Sequence, residues 1–229
     1  MFAVRDLDAY LFDAGGVLVL PDPTVLAPLL VPYGGSPDIE VHIRAHYAAM
    51  AAKSAANSPE MFWDDYNHEY VRRVGVGSEE LDVAAVVLER TRSAWLWRWP
   101  IASSVTALRQ LHEAGVPIGV VSNASGQIAD VLRRFGVCQV GPGDHTPVRV
   151  IVDSHVVGVA KPSPAIFDHA LHLFDGIAPS RIGYVGDSVT MDIGGARAAG
   201  LHAILLDPYD DHPDADFDRV RSLAELLSP

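Results

Sequence analysis

The chain has 229 residues, 49% of them hydrophobic and 20% charged, which suits one core domain, or one core with a smaller insertion, and excludes disorder throughout. Its 29 acidic residues against 17 Lys and Arg give a net charge of −12, so no chain-wide basic field exists to hold a nucleic-acid backbone, and nucleic acid is not expected as a partner. The single cysteine, Cys138, excludes an internal disulfide and a cysteine-based metal module. At the start of the chain, Met1 to Asp8 mixes Arg5 with Asp6 and Asp8, which is wrong for a secretory leader. No apolar run reaches the roughly 20 residues that span a bilayer. A cytoplasmic location and no membrane partner are the expectations.

Next along the chain, Ala9-Tyr10-Leu11-Phe12 is a short apolar run that stops at Asp13 and a glycine pair, predicting a buried strand that ends in a turn. Runs of the same kind follow at residues 116–121 before Ser122-Asn123, at 148–152 before Asp153-Ser154, at 181–185 before Gly186-Asp187, and at 202–206 before Asp207. Helical periodicity separates them at 103–113, 126–135, 164–174 and 190–199, each closed by a glycine or another breaker. Strands alternating with helices predict βαβ units, a mostly parallel sheet and right-handed crossovers. From Asp22 to Trp99 the period is helical instead, over 42–52, 59–73 and 78–97, which predicts a helical insertion after the first strand. Residues 207–218 read as an acidic surface loop and 219–227 as a last helix.

In an open parallel sheet, ligands bind outside the carboxyl ends of the strands. Asp13, Ser122 and Asp187 each fall at such an end. Taken singly, each serves equally well as a turn or helix cap. Lysine is scarce: Lys53 and Lys161 are the only two. Lys161 stands in Gly158-Val159-Ala160-Lys161-Pro162-Ser163-Pro164, where Ser163 and Pro164 suit a helix start.

Four segments, Leu11-Phe12-Asp13-Ala14-Gly15-Gly16-Val17-Leu18, Val121-Ser122-Asn123, Gly158 through Phe167, and Gly186-Asp187-Ser188 through Asp192 to Gly200, stand in an order and spacing that resemble the haloacid dehalogenase-like (HAD) hydrolase superfamily. The resemblance covers Tyr10 to Leu206. It implies a Rossmann-like α/β core with an inserted α-helical cap: core at residues 1–21 and 100–229, cap at 22–99. It also implies Mg²⁺-dependent removal of a phosphoryl group from a small phosphorylated metabolite by a monomer or homodimer. In that reading Asp13 is nucleophile and metal ligand, and forms an aspartyl-phosphate. The Gly15 carbonyl and Asp187 complete the metal set, with Asp192 ligating the ion or orienting its waters. Ser122, the N–H groups beside it at Asn123, and Lys161 hold the phosphate. The chemistry is consistent, since a hard cation with carboxylate and carbonyl ligands neutralises a transferring phosphoryl group. Asp192 reads equally as first-turn compensation of a helix dipole.

One position departs from the resemblance. Most phosphatases of the family carry a second Asp two residues after the nucleophile as general acid and base, and here that residue is Gly15. Losing such a group costs on the order of 10²–10⁴ in rate. One reading keeps ester hydrolysis and takes the proton from a cap side chain such as His46, Asp64 or His68. A second follows phosphonoacetaldehyde hydrolases, which lack this Asp and use a cap lysine as a Schiff base; Lys53 is the only cap lysine, although its Ala-Ala-Lys-Ser-Ala-Ala setting suits a solvent-facing residue. A third is metal-free dehalogenation, which the acidic pair at Asp187 and Asp192 argues against. The fourth is a HAD fold that binds without turnover. The cap aromatics Trp63, Trp95, Trp97, Trp99, Tyr47, Tyr66 and Tyr70 read as core or cap–core interface, with Trp99-Pro100 in the return hinge.

Overall fold

A strand buried on both faces must be apolar along its whole length, and the uninterrupted runs at 9–12, 118–122 and 182–186 meet that requirement. In a computed structural model, residues 6–227 are described; the expectation for Met1 to Asp8 falls, at residues 1–5, outside them. In chain order the elements are β1 (Ala9–Phe12), β2 (Val19–Pro21), α1 (Pro23–Leu30), α2 (Ile39–Ala55), α3 (Asp64–Arg73), α4 (Leu81–Thr91), β3 (Trp97–Pro100), α5 (Ala102–Glu113), β4 (Ile118–Ser122) and α6 (Ile128–Arg134). Then come β5 (Cys138–Val140), β6 (Thr146–Val148), β7 (Ile151–Asp153), α7 (Ser154–Val157), α8 (Ala165–Leu171), β8 (Ile182–Gly186), a π-helical turn (Val189–Ile193), α9 (Gly194–Ala198), β9 (His202–Leu206) and β10 (Asp218–Val220).

Six strands form one sheet in the order β10-β9-β8-β1-β4-β7, and every pairing is parallel. Side chains of β1 alternate between two cores: Tyr10 and Phe12 pack with Leu108, Val131 and Leu132, while Ala9 and Leu11 pack with Ile166, Phe167 and Ala196. The result is the Rossmann-like α/β core with an inserted helical cap. No described helix is long and apolar enough to cross a membrane.

Helices α1–α4 bury a core of their own around Leu26, Tyr66, Tyr70 and Leu88. The chain enters and leaves this unit through β2 and β3, which pair antiparallel. Asp22 pins the crossing: its Oδ1 accepts from Thr24 N–H at 3.0 Å and caps α1, and its Oδ2 accepts from Arg98 Nε at 2.8 Å.

Several predicted elements are corrected. The run at 148–152 is two strands, since Thr146–Val148 pairs with β5 in a side ribbon and only Ile151–Asp153 joins the main sheet. The last helix at 219–227 is instead β10 followed by a 3₁₀ turn at Leu223–Leu226, because Asp218 to Val220 extend the sheet beside β9. The loop before it is not fully solvated: Asp207 is buried and accepts from Asp211 N–H, His212 N–H and Arg219 Nη1. Helix 78–97 stops at Thr91, and Trp97 lies on β3. Helix 59–73 starts only at Asp64, because the carbonyls of Pro59, Glu60 and Phe62 turn toward Lys53 Nζ instead of forming a helical ladder.

Candidate active site

Neighbouring positions in the sheet bring the carboxyl ends of β1, β4 and β8 together, and with them Asp13, Ser122 and Asp187. Lys161 arrives from the loop between α7 and α8. Its ammonium donates to Asp13 Oδ2 at 3.0 Å, to Asp192 Oδ1 at 2.7 Å and to the Tyr184 hydroxyl at 2.7 Å, so all three protons are used. Tyr184 in turn donates to the Val121 carbonyl at 2.9 Å. Asp13 Oδ1 accepts from Ala14 N–H at 2.7 Å, and the Ser122 hydroxyl also bonds the Asp13 carboxylate.

Asp192 sits on the π-helical turn, where its Oδ2 accepts from the N–H groups of Asp187 at 3.0 Å and Ser188 at 2.9 Å. Its two oxygens thus tie the backbone after β8 to Lys161. The Asn123 side chain is equally committed: its Nδ2 donates to the Lys161 carbonyl at 3.1 Å and its Oδ1 accepts from Lys161 N–H at 2.8 Å. Asn123 therefore braces the lysine loop through its side chain.

Ligand atoms of Asp13, Asp187 and Asp192 all lie within 4.8 Å of one another. Three buried carboxylates face one ammonium, and the imbalance appears in their acidities. Burial, opposed by Lys161 and reinforced by Asp192 and Asp187, pushes the Asp13 carboxyl up to about 7. Asp187 is raised well above the usual range, by burial first and then by Asp192. Lys161 is held protonated: burial works against its charge, but Asp13 and Asp192 outweigh it and lift it above the ordinary lysine value.

Of the three cap residues considered for a proton, only His46 reaches this centre. His68 is exposed and bonds Asp82 and the Asp64 carbonyl, and Asp64 is exposed at the start of α3. His46 Nε2 lies 3.1 Å from Asp187 Oδ2 and Nδ1 lies 2.9 Å from the Tyr66 hydroxyl. Burial pushes the His46 ring down to about 3, so the ring is neutral and carries one proton, shared between its contacts to Asp187 and Tyr66 according to tautomer. Beside it, the Tyr47 hydroxyl donates to the Gly16 carbonyl at 2.9 Å. Gly16 has φ +68°, and a Cβ there would lie 1.8 Å from Asp187 Oδ2, so only glycine fits under the carboxylate.

Above the centre lies a cavity of about 410 Å³, lined on the core side by Asp13, Gly15, Ser122, Lys161 and Asp187, and on the cap side by Lys53, Glu60, Trp63, Arg92 and Trp97. Trp63 and Trp97 thus face the cavity, whereas Tyr66 and Tyr70 belong to the cap core and Trp95 is exposed. The solvent-facing reading of Lys53 is overturned: the side chain is 1% exposed, its Nζ donates to the carbonyls of Pro59 at 2.7 Å, Glu60 at 3.4 Å and Phe62, and it lies 4.6 Å over the Trp63 ring. Arg92 also lies over the Trp63 ring, 4.2 Å from its centroid, and its Nη2 donates to Asn67 Oδ1. Glu60 turns its carboxyl toward Lys161, Lys53 and the Asn123 amide, and burial nonetheless raises it above the usual glutamate range. Sequence reasoning missed Glu60, His46 as a neighbour of Asp187, and Tyr184, because each acts through a contact between distant segments.

A family model described as haloacid dehalogenase-like hydrolase matches residues 7–200. Glyceraldehyde 3-phosphate phosphatase of Methanopyrus kandleri is 31% identical over 168 residues, which cover 69% of each chain. Phosphoserine phosphatase of Thermus thermophilus is 31% identical over 135 residues, covering 57% of this chain and 51% of that one, so the chain spans about half of that relative's length. Among solved structures, a HAD phosphatase from Thermococcus onnurineus superposes with a TM-score of 0.59 at 23% identity over 96% of both chains. A dehalogenase with an intermediate complex gives 0.61 at 18% identity over 98% of both. These two likenesses establish the fold alone.

Proposed function

The chain belongs to the haloacid dehalogenase-like hydrolase family, and from that premise we propose that it is a Mg²⁺-dependent phosphatase of a small organic phosphate, with Asp13 as nucleophile. The observation that carries the reading is the charge balance at the strand ends, where Asp13, Asp187 and Asp192 crowd within 4.8 Å and Lys161 alone answers them. A buried cluster of this sign calls for a divalent cation, and its donors are all hard oxygens, which suits Mg²⁺. Asp13, Asp187 and the Gly15 carbonyl would hold it. Asp192, with both oxygens already accepting hydrogen bonds, would contribute charge and keep Asp187 and Lys161 in register. When bound, the cation supplies Lewis acidity and charge neutralisation at the phosphoryl oxygens.

The chain's own residues supply the rest. An Asp13 oxygen attacks phosphorus, the ester P–O bond breaks, and the phosphoryl group rests on Asp13 until water attacks the same phosphorus and releases inorganic phosphate. Lys161 and the Ser122 hydroxyl, both bonded to Asp13 in its resting state, are in reach of the transferring oxygens. The insertion, which we bound at residues 22–99 against a core of 1–21 and 100–229, closes the cavity from above. Its volume of about 410 Å³ matches a small metabolite, and the M. kandleri and T. thermophilus relatives are named for triose and amino-acid phosphates. Lys53 is not available as a Schiff base while its three protons serve three carbonyls, and metal-free dehalogenation leaves the acidic cluster without a purpose.

The test is phosphate release from 4-nitrophenyl phosphate and a panel of small phosphate esters, with and without Mg²⁺, in the native protein and Asp13→Asn. The reading expects Mg²⁺-dependent release that Asp13→Asn lowers by more than about 10³-fold. Release that ignores both the metal and the substitution would overturn it.

A further inference from the structure

Breaking an alkyl phosphate ester needs a proton for the departing oxygen, and position 15 has no side chain to give one. The space is also closed: a Cβ on Gly15 would lie 3.1 Å from Cζ3 of Trp97, whose ring fills the region a longer side chain would occupy. Among the titratable groups that line the cavity, Lys161 and Lys53 have every proton committed, Arg92 does not release one, Asp13 is the nucleophile, and Asp187 and Asp192 belong to the cation cluster. His46 has both ring nitrogens bonded and does not line the cavity. Glu60 remains.

We infer that Glu60, reaching down from the cap loop before α3, is the general acid and base of the reaction, an assignment that rests on the phosphatase reading above. As Asp13 attacks, the ester P–O bond breaks with its electron pair on the leaving oxygen, and that oxygen takes the Glu60 proton. The Glu60 carboxylate then takes a proton from water as the water oxygen bonds to phosphorus and the P–O bond to Asp13 breaks. Phosphate leaves and Glu60 is protonated again, so no co-reactant is needed.

Two features support the role. Glu60 lines the same cavity as Asp13, and its carboxyl, raised by burial, faces Lys161, Asp192 and Asp187 from the core and Lys53 from the cap, with the Asn123 amide beside it. The loop that carries it is also fixed. Buried Lys53 gathers the carbonyls of Pro59, Glu60 and Phe62, and the Ser58 hydroxyl bonds Asp65, so the Glu60 backbone is held on both sides. Lys53 is a positioning residue in this account.

The experiment compares Glu60→Gln and Glu60→Asp with the native protein on glycerol phosphate, whose alkoxide needs a proton, and on 4-nitrophenyl phosphate, whose phenolate does not. Glu60→Gln is expected to lower kcat/KM for the alkyl ester by about 10²-fold or more and for the aryl ester by less than about tenfold, with a nitrophenolate burst as Asp13 dephosphorylates slowly. Glu60→Asp should recover part of the alkyl activity. Retained aryl turnover reports a folded protein. Equal losses on the two esters, or no loss on the alkyl ester, would overturn the assignment while Asp13→Asn still abolished both activities. A native chain that released phosphate from neither ester would overturn the phosphatase reading and this one with it.

Discussion

Gly16 and Asp187 are separated along the chain but share one space, because the glycine's φ of +68° leaves a gap that the Asp187 carboxylate fills. Gly16→Ala should therefore cost about 1–3 kcal/mol in urea unfolding and displace a cation ligand. Mg²⁺-dependent activity should fall with it, and an active, equally stable variant would refute the packing argument. The acidities give a second prediction. Asp13 is raised by burial to about 7 from 3.8, so the metal-free folded state binds protons more tightly than the unfolded chain, and its stability falls as pH rises from about 4 through 7. A bound cation removes that penalty. Mg²⁺ should consequently raise the Tm of EDTA-treated protein more at about pH 8 than at about pH 6.5. Equal shifts at both would contradict the cluster's electrostatics. Asp13, Ser122 and Asp187 were legible in the sequence because each sits where an apolar run ends, and Lys161 through the family resemblance of its Lys-Pro segment in a chain with two lysines. His46 was legible only as one of three candidates, since its contact with Asp187 spans 141 residues and nothing local marks it.

The loop from Asn57 to Trp63 shows how an element can escape its own periodicity. The apolar spacing there suits a helix, but Lys53 takes three carbonyls that the helix would need, and a loop results. Lys53→Met removes this donor from the three partly buried carbonyls, although that of Pro59 still accepts from Phe62 N–H at 3.0 Å, and the loss costs about 1–3 kcal/mol in total. The expected outcome is faster proteolytic cleavage between α2 and α3, with a loss of alkyl-ester over aryl-ester activity that parallels Glu60→Gln. An unchanged cleavage rate and an unchanged ester ratio would remove Lys53 from the account. Helix α2 was readable from the apolar and aromatic residues that recur over 42–52, and it begins earlier than that, at Ile39, where Asp38 caps it by accepting from Glu40 N–H at 2.9 Å. The ribbon of β2 and β3 was not, as three and four residues carry too little pattern to separate a strand from the end of a helix.

Two chain segments that lie far apart make one centre only when the whole molecule is assembled: the sheet aligns the strand ends, and the insertion brings His46, Glu60 and Trp97 over them. Strand–helix alternation made the sheet and the insertion legible, because parallel strands buried on both faces are apolar throughout. The packing of cap on core was not legible, resting as it does on contacts such as Tyr47 to Gly16 and Arg44 to Asp211 that carry no local signal. Global integrity has its own reporter in Cys138, which is fully buried, its thiol pushed up to about 12 by that burial. Alkylating reagents should label it only as urea unfolds the protein, and rapid labelling of the folded state would contradict the packing. The proposed reaction turns on passage of the phosphoryl group through Asp13. Its most direct test is acid quench of the protein with a ³²P-labelled ester in the presence of Mg²⁺, followed by peptide mapping. Transient, hydroxylamine-labile label is expected on the peptide containing Asp13, absent from Asp13→Asn and longer-lived in Glu60→Gln. Label on another residue, or phosphate release with none on the protein at any time, would contradict it.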